Sequence, residues 1–432
     1  MERMYDLFRS SHCVTTDSRC ITPGCIFFAF KGERFDGNAY VPQALEQGAA
    51  LCVTTDGRYA GDPRCAVVDD VLDTLQQLAR RYRADITIPV LGITGTNGKT
   101  TTKELVHAVL ARRYRTACTK GNFNNHLGVP LTILSIPVDS EIAIVEMGAN
   151  HPGEIESLCK IADPDCGLIT NVGRAHLEGF GSFEGVVNTK TELYRHLAAK
   201  GGQVFVNADN EILCERVNAL MPESAMVLSY GTLQNAFVRG TYVGSDPYLH
   251  FYFEHGDNVY NVRTHLLGAY NFDNAMAAVA VGLRFGVEPF DIKEAIEAYV
   301  PANQRSQWKQ TERNNLYLDC YNANPSSMAA AIDSFRAIAA PHKAAVIGAM
   351  RELGTASSDE HRRLVELLEG CGLERVVLVG HEFDGLPLAS NMAHVATTDE
   401  ARALLENEPI AGATVLVKGS NGNRLWELEE VL

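Results

Sequence analysis

Apolar runs alternate with amphipathic stretches through the middle of the chain. Beyond about residue 88, apolar runs at 141–147, 166–172 and 202–206 are separated by helix-like segments. Strands that alternate with helices in this way predict a mainly parallel sheet with helices on both faces. Between 236 and 266 short apolar runs alternate with turn residues, which predicts a small antiparallel sheet ahead of a helix from about Asp273 to Phe285.

The segment before this region is mixed α/β and compact. Apolar runs at 25–30 and 50–53 predict strands, and helical spacing recurs around 41–45 and 72–78. The charged stretch 80–85 comes shortly before a proline, which indicates a domain boundary near residue 84.

Pro301 marks a second boundary, and a smaller α/β unit follows it. Strands are expected at 316–320, 344–348, 375–379 and 414–417, and helices at 326–339, 359–369 and 398–406. This unit resembles a dinucleotide-binding, Rossmann-like fold without the glycine fingerprint of that fold. The sequence therefore predicts an α/β protein of three domains, at 1–84, 85–301 and 302–432.

Composition and charge narrow the class of protein. A chain of 432 residues that is 46% apolar and 21% charged is typical of a soluble globular protein of two or three domains. The net charge of −15 disfavours binding to nucleic acid or to anionic membranes. We expect no secretory signal and no membrane-spanning segment, and the 11 scattered cysteines without a Cys-x-x-Cys pair indicate reduced thiols in the cytoplasm.

The run 92–102 carries the strongest chemical signal. It has glycines at 92, 95 and 98, follows an apolar stretch and leads into a helical pattern, as in a loop that holds a polyphosphate. Lys99 is placed to reach the terminal phosphates, and the Thr100 hydroxyl to bind Mg²⁺. Ile93 stands where the usual pattern has a glycine, so this is a variant phosphate loop; the alternative is an ordinary strand–helix connection. The ATP-binding residues predicted here are Gly95, Thr96, Asn97, Gly98, Lys99, Thr100 and Thr101.

Three further side chains are candidates near this loop. Glu146 ends an apolar strand, so it points into the crevice where such sheets bind ligands, either as a Mg²⁺ ligand or as a solvated acid. His176 follows the next strand on a glycine-rich loop and is either a ligand or a structural histidine. Lys190, at the start of a helical stretch, looks by itself like a surface lysine.

The segment 319–328 follows a strand of the last domain. The pair Asn324-Pro325 stops that strand, and we expect Ser326 to be the N-cap of the next helix. Asp319, Asn322 and Asn324 have the chemistry to bind ribose hydroxyls or amide groups; the alternative is a well-capped turn.

Together these motifs resemble the Mur ligases, the ATP-dependent amide-bond-forming enzymes of peptidoglycan precursor synthesis. The resemblance runs from Thr16 to about Asn421. It implies ATP, two Mg²⁺ ions and a carbamylated lysine at Lys190 as cofactors. It also implies a cytoplasmic monomer that joins D-alanyl-D-alanine to the carboxylate of UDP-N-acetylmuramoyl-tripeptide through an acyl phosphate, with release of ADP and phosphate.

The resemblance also assigns roles to residues. Lys99, Lys190, His176 and Arg305 are the implied catalytic residues, and Thr100, Glu146, His176 and Lys190 the implied metal ligands. Asn271 and Asn274 match asparagines near the adenine, Arg305 an arginine that reaches the phosphates, and Asp319 a ribose-binding aspartate. The implied substrate-binding residues are Ser18, Arg19, Lys31, Gly32, Asn124, Asn125, Tyr321, Asn322, Asn324 and Ser326.

Three positions depart from the family pattern, and they all lie in the last domain. Gln304 stands where a glycine usually precedes the arginine, Ala349 replaces an aspartate, and Asn421 replaces an arginine.

Three other functions compete with this interpretation. A related ligase that adds glutamate to folate would share the ATP chemistry, but the first-domain motifs and the 321–328 segment argue against it. A nucleotide-binding regulator that has lost catalysis would explain Ala349 and Asn421. A dinucleotide oxidoreductase would depend only on the α/β pattern of the last domain.

Overall fold

The first part of the chain forms a parallel sheet with helices against it. The computed structural model describes residues 1–33, 35–301 and 304–432. In this part the strand order is β1-β2-β3-β4. Its elements are α1 (Glu2–Ser11), β1 (Val14–Thr15), β2 (Ile26–Phe28), α2 (Val41–Glu46), β3 (Leu51–Thr54), β4 (Cys65–Val67) and α3 (Val71–Asp85). Helix α3 begins where the Asp70 carboxylate accepts hydrogen bonds from two backbone N–H groups of its first turn.

The middle part is built on one large sheet with the order β13-β12-β11-β10-β9-β8-β5-β7-β6. Its strands are β5 (Val90–Thr94), β6 (Thr116–Cys118), β7 (Ile142–Glu146), β8 (Cys166–Ile169), β9 (Gln203–Asn207), β10 (Val227–Gly231), β11 (Val238–Ser245), β12 (Tyr248–His255) and β13 (Asn258–Leu267). Its helices are α4 (Lys99–Leu110), α5 (Gly128–Leu134), α6 (Glu154–Ala162), α7 (Leu177–Phe180), α8 (Phe183–Lys190), α9 (Glu192–Lys200), α10 (Glu211–Leu220), α11 (Asn271–Arg284) and α12 (Pro289–Ala298).

The antiparallel strands extend this sheet instead of forming a separate one. Strand β11 pairs in parallel with β10, with Tyr230 opposite Val238, and β12 and β13 then continue antiparallel. The small antiparallel sheet predicted for 236–266 is confirmed in β11 to β13, and these strands form the outer part of the central sheet. The physical reason is that the free backbone groups along β10 find partners in β11.

The last part has the strand order β14-β15-β19-β16-β17-β18, parallel except for the β14–β15 pair. Its elements are β14 (Gln307–Gln310), β15 (Asn315–Asp319), α13 (Pro325–Ala337), β16 (Lys343–Gly348), α14 (Ser357–Glu369), β17 (Arg375–Val379), β18 (Met392–Val395), α15 (Thr398–Asn407) and β19 (Thr414–Lys418). The α/β class predicted from the sequence is confirmed.

Helix α3 joins the first sheet to the central part of the chain. Its apolar face, with Leu75 and Leu78, belongs to the same buried cluster as residues of α5 and α6. The Tyr82 hydroxyl donates to the Ile136 carbonyl at 2.8 Å. The buried Arg83 guanidinium donates to the Ala162 carbonyl at 2.8 Å and also pairs with a carboxylate of the central part. The first and central parts therefore share one continuous core.

Across the three described stretches, no helix combines the length and apolar character that crossing a membrane requires.

Candidate active site

A cavity of about 990 Å³ opens at the carboxyl ends of the central parallel strands and reaches the last domain. This edge of a parallel sheet is where such folds bind ligands. The cavity brings together most of the residues predicted from the sequence: Thr96, Asn97, Gly98, Lys99, Thr100, Thr101, Asn124, Asn125, Glu146, His176, Asn271, Asn274, Arg305, Asp319, Tyr321, Asn322, Asn324 and Ser326. Gly95 lies in the adjoining loop and Lys190 lies buried nearby, outside the wall of the cavity.

The phosphate loop joins β5 to α4, as the sequence predicts. Gly98 is the N-cap of α4 with a φ of 76°, a conformation that favours glycine. The Lys99 ammonium donates to the backbone carbonyls of Gly95 and Thr96 at 2.8 and 2.9 Å. The loop thus presents a lysine and a helix N-terminus to the cavity, which is a suitable surface for phosphates.

Glu146 lies at the end of β7, directly beside the start of α4. Its Oε1 accepts hydrogen bonds from the Thr100 hydroxyl at 3.2 Å and from the Asn124 amide at 2.7 Å. Its Oε2 is buried and has no hydrogen-bond partner among the described residues. A buried carboxylate oxygen without a donor is costly unless a cation approaches it. These groups therefore fit a Mg²⁺ ion at Thr100 and Glu146.

A buried lysine fixes the position of Glu146 relative to α4 through two hydrogen bonds. Lys103 on α4 is fully buried, and its ammonium donates to the Thr119 carbonyl at 2.7 Å. The Thr119 hydroxyl in turn accepts a hydrogen bond from the Glu146 backbone N–H at 3.0 Å. Lys103 thus fixes the loop after β6 against the phosphate-loop helix.

The two asparagines at the start of α11 form a chain of hydrogen bonds with α4. The Thr102 hydroxyl donates to Oδ1 of Asn274 at 3.0 Å, and the Asn274 amide donates to Oδ1 of Asn271 at 2.8 Å. The Asn271 amide donates to the Leu267 carbonyl at 2.8 Å. These hydrogen bonds couple the phosphate-loop helix to the two asparagines that the family resemblance implies lie near the adenine.

Lys190 ends α8 and is only 2% exposed. Its ammonium donates to the Ala149 carbonyl at 3.2 Å and lies 5.3 Å from the centre of the Phe180 ring. Burial lowers the pKa of Lys190 well below its ordinary value, and the nearby Lys99 lowers it further. The surface position that the residue suggests by itself is therefore wrong, because the side chain is enclosed.

His176 is the N-cap of α7 and has a left-handed backbone, with a φ of 49°. Its Nδ1 contacts the Glu352 carboxylate of the last domain. Burial lowers the pKa of His176, and the Glu352 charge opposes that change. The imidazole thus lies between the phosphate loop and the last domain.

Arg305 stacks on Tyr321, with its guanidinium carbon 3.7 Å from the centre of the ring. The preceding residue, Gln304, has a φ of 59°. The chain therefore places glutamine in a conformation that glycine adopts at lower cost, at one of the three positions where it departs from the family pattern.

Asp319 is held by a lysine that the sequence analysis did not single out. Lys418, at the end of β19, lies opposite Asp319 in the parallel register, and its ammonium contacts Oδ2 at 2.5 Å. The Lys418 side chain is 2% exposed and lines the cavity. The sequence could have indicated Lys418, because it ends a buried strand as Asp319 does.

The N-cap of α13 is Asn324, so the prediction of Ser326 is wrong. The Asn324 side chain accepts a hydrogen bond from the Ser327 N–H at 2.9 Å, and Pro325 takes the first helical position, where its fixed φ fits. Ser326 instead accepts a hydrogen bond from the Arg174 N–H at 2.9 Å. The Asn324 amide donates to Oδ1 of Asn97 at 2.8 Å, which joins the last domain to the phosphate loop.

The predicted first-domain residues lie apart from the cavity. Arg19 is exposed and pairs with Asp17 at 2.7 Å, and Lys31 approaches Asp36 at 3.7 Å. Ser18 and Gly32 are not among the residues that line the cavity. Gln76 of α3 lines it instead and donates to the His126 carbonyl at 3.0 Å. Nothing in the local pattern distinguishes Gln76 from the other polar residues of α3.

No group of three His, Cys, Asp or Glu side chains close enough to hold a metal ion occurs within 1–33, 35–301 and 304–432. A metal at this site would therefore need other oxygen ligands, such as the Thr100 hydroxyl, phosphate oxygens or a carbamate.

The family resemblance inferred from the motifs is confirmed by comparison with known proteins. Three family models match in order: the Mur ligase family catalytic domain at 10–83, the Mur ligase middle domain at 93–282, and the Mur ligase glutamate ligase domain at 304–421. The UDP-N-acetylmuramoyl-tripeptide–D-alanyl-D-alanine ligase of Bacillus subtilis is 34% identical over 96% of this chain and 92% of its own length.

Solved structures agree with this match. The MurF ligase of Thermotoga maritima, crystallised in complex with ADP, superposes with a TM-score of 0.86 at 28% identity, over 99% of this chain and 97% of its own. MurF from Acinetobacter baumannii has a TM-score of 0.85 at 32% identity, over 96% of this chain and 92% of its own. The chain belongs to the Mur ligase family.

Proposed function

We propose that this protein is an ATP-dependent ligase that joins D-alanyl-D-alanine to the carboxylate of UDP-N-acetylmuramoyl-tripeptide, with release of ADP and phosphate. The reaction belongs to peptidoglycan precursor synthesis, and we place it in the cytoplasm, with the protein acting as a monomer.

The observation that carries the proposal is that a phosphate loop, the acid Glu146 and the last-domain residues Arg305 and Asp319 line one and the same cavity. A ligase of this kind must hold ATP, a carboxylate and an amine together, and a cavity between domains allows all three. Relatives named for this reaction match nearly the whole chain.

In the first step a carboxylate oxygen of the tripeptide attacks the γ-phosphorus of ATP, the bond to the β–γ bridging oxygen breaks, and ADP leaves. A carboxylate is a poor electrophile, and the acyl phosphate gives it a leaving group. Catalysis of such a transfer is mainly positioning and charge neutralisation. Lys99 and the N-terminus of α4 bind the phosphates, and Arg305 approaches them from the last domain.

In the second step the free amine of D-alanyl-D-alanine attacks the acyl carbon, loses a proton, and inorganic phosphate departs. Asn271 and Asn274 hold the adenine and Asp319 the ribose, so the triphosphate keeps its direction along the cavity. Tyr321, Asn322, Asn324 and Ser326 orient the dipeptide. Closure of the last domain over the cavity keeps water from the acyl phosphate.

Thr100 and Glu146 would hold one Mg²⁺ ion, and Glu146, His176 and a carbamylated Lys190 a second; the ions would neutralise charge on the phosphates and the carboxylate. Carbamylation requires a neutral amine, and the burial that lowers the pKa of Lys190 favours one. The uridine nucleotide would bind the first domain through Ser18, Arg19, Lys31 and Gly32, and the loop with Asn124 and Asn125 would hold the sugar.

An ADP-release assay tests this function. Purified protein with UDP-N-acetylmuramoyl-tripeptide, ATP and Mg²⁺ should release ADP over many turnovers only when D-alanyl-D-alanine is present, because without the amine the reaction stops at the acyl phosphate. Mass spectrometry should find the pentapeptide product. Release of AMP, or turnover with a folate substrate in place of the tripeptide, would contradict the proposal. Tight ATP binding without substrate-stimulated hydrolysis would favour a regulator that has lost catalysis.

A further inference from the structure

Glu352 of the last domain touches a side chain of the central site. It lies in the loop between β16 and α14, and its carboxylate contacts Nδ1 of His176. That nitrogen is buried and, apart from this charge contact, has no hydrogen-bond partner among the described residues, and the imidazole lines the cavity. Nε2 is therefore the ring nitrogen left to face a ligand in the cavity.

The backbone at Glu352 is held in an unfavourable conformation. Its φ of 62° lies in the left-handed region, which is unfavourable for a residue with a side chain. Such strain persists where the surroundings fix it, and it clusters at functional sites. Here the Met350 N–H donates to Nε2 of His361 at 3.0 Å and the Arg351 N–H donates to Oγ of Ser420 at 3.1 Å, so the two residues that precede the strained one are anchored.

The contact also depends on how the last domain lies against the central one. Arg174 pairs with Glu360 across the same interface at 3.4 Å, and the Arg174 backbone N–H donates to Oγ of Ser326 at 2.9 Å. These contacts hold α13 and α14 of the last domain against the segment that carries Arg174 and His176.

We propose that Glu352 is a positioning residue for His176. A histidine that ligates a metal commonly donates its other ring N–H to a carboxylate, which fixes the ring orientation and strengthens the ligand. Glu352 supplies that carboxylate from another domain. The Mg²⁺ site is then completed when the last domain docks, so metal binding and domain closure are coupled. This inference rests on the proposed function, in which His176 is a metal ligand.

The test measures Mn²⁺ binding without turnover. Wild-type protein with a non-hydrolysable ATP analogue is titrated with Mn²⁺, and free Mn²⁺ is followed by electron paramagnetic resonance. Glu352→Gly is the informative variant, since it removes the carboxylate and gives the strained position a residue that adopts φ near 62° freely. We expect a melting temperature at or above that of the wild type and a second Mn²⁺ site about 10–100-fold weaker.

Glu360→Gln is the matched control, because it removes another carboxylate of the same interface that does not touch His176. We expect its Mn²⁺ affinity to stay at the wild-type value. Wild-type affinity in Glu352→Gly, or equal weakening in both variants, would overturn the inference. The proposed function fails separately, if the wild-type protein does not release ADP with its substrates.

Discussion

Replacing Gly98 by alanine tests two structural requirements at this position of the phosphate loop. The first is backbone conformation, since a φ of 76° costs an alanine roughly 1–2 kcal/mol. The second is space, because a Cβ at this position would clash with Oδ1 of Asn274. That oxygen accepts the hydrogen bond of the Thr102 hydroxyl, and the Asn274 amide holds Asn271.

The backbone strain affects the stability of the protein, whereas the clash with Asn274 also affects nucleotide binding. The conformational cost lowers the free energy of unfolding. Displacing Asn274 breaks at least one buried hydrogen bond, which adds about 1 kcal/mol, and it moves both asparagines proposed to hold the adenine. We therefore expect Gly98→Ala to lose about 2–3 kcal/mol of stability and to bind an ATP analogue at least about fivefold more weakly.

Gly201→Ala is the control for conformation alone. Gly201 ends α9 with a φ of 74°, and no described heavy atom lies within 4 Å of the position of an added Cβ. It should lose only the roughly 1–2 kcal/mol of the left-handed backbone and keep wild-type nucleotide affinity. Urea unfolding and isothermal titration calorimetry measure both quantities. The reasoning is refuted if Gly98→Ala binds the analogue as tightly as Gly201→Ala.

Three other substitutions test residues of the candidate site and the buried residues that pack around it. Lys103→Met leaves the Thr119 carbonyl without its donor and should lower the free energy of unfolding by about 1–3 kcal/mol in urea titrations; an unchanged midpoint would show that the buried ammonium contributes nothing. Burial raises the pKa of Asp273 to about 6, so the folded protein holds this proton more tightly than the unfolded chain and wild-type stability falls as pH rises from about 4 to 6. Asp273→Asn should therefore melt above wild type at pH 7.5 and close to it at pH 3.5, whereas a constant difference would contradict the assignment. Lys190→Ala should abolish ligation, with partial recovery in added short carboxylic acids, and full activity without them would remove Lys190 from the mechanism.

The alternation of strands and helices could be predicted from the sequence because buried parallel strands are continuous apolar runs. The expected strand 375–379 is β17, and the expected helix 398–406 is α15 less one residue. Short edge strands such as β14 and β18 are partly exposed and carry no such run, so the sequence analysis did not find them. The pairing of β11 with β10 was also missed, because periodicity does not say which strand lies beside which.

Site residues were predictable where chain position determines them. Glu146 and Asp319 end buried strands, and the carboxyl ends of parallel strands meet at one edge of the sheet. The burial of Lys190 and the contact between Glu352 and His176 depend on packing between distant segments, which no local pattern records. The prediction of Ser326 as the cap is wrong because Asn324 followed by Pro325 makes the better helix start.

The core that α3 shares with α5 and α6 has a consequence for substrate choice. Separating the first sheet from the central part would expose this buried apolar surface to water. The first domain, which we propose binds the uridine nucleotide, therefore keeps a constant distance from the phosphate loop. A substrate anchored at its nucleotide end must then span a fixed gap to place its carboxylate at the γ-phosphate. The protein would thereby select substrates by the length of their peptide. The carboxylate of a stem peptide that is one residue shorter would not reach the γ-phosphate.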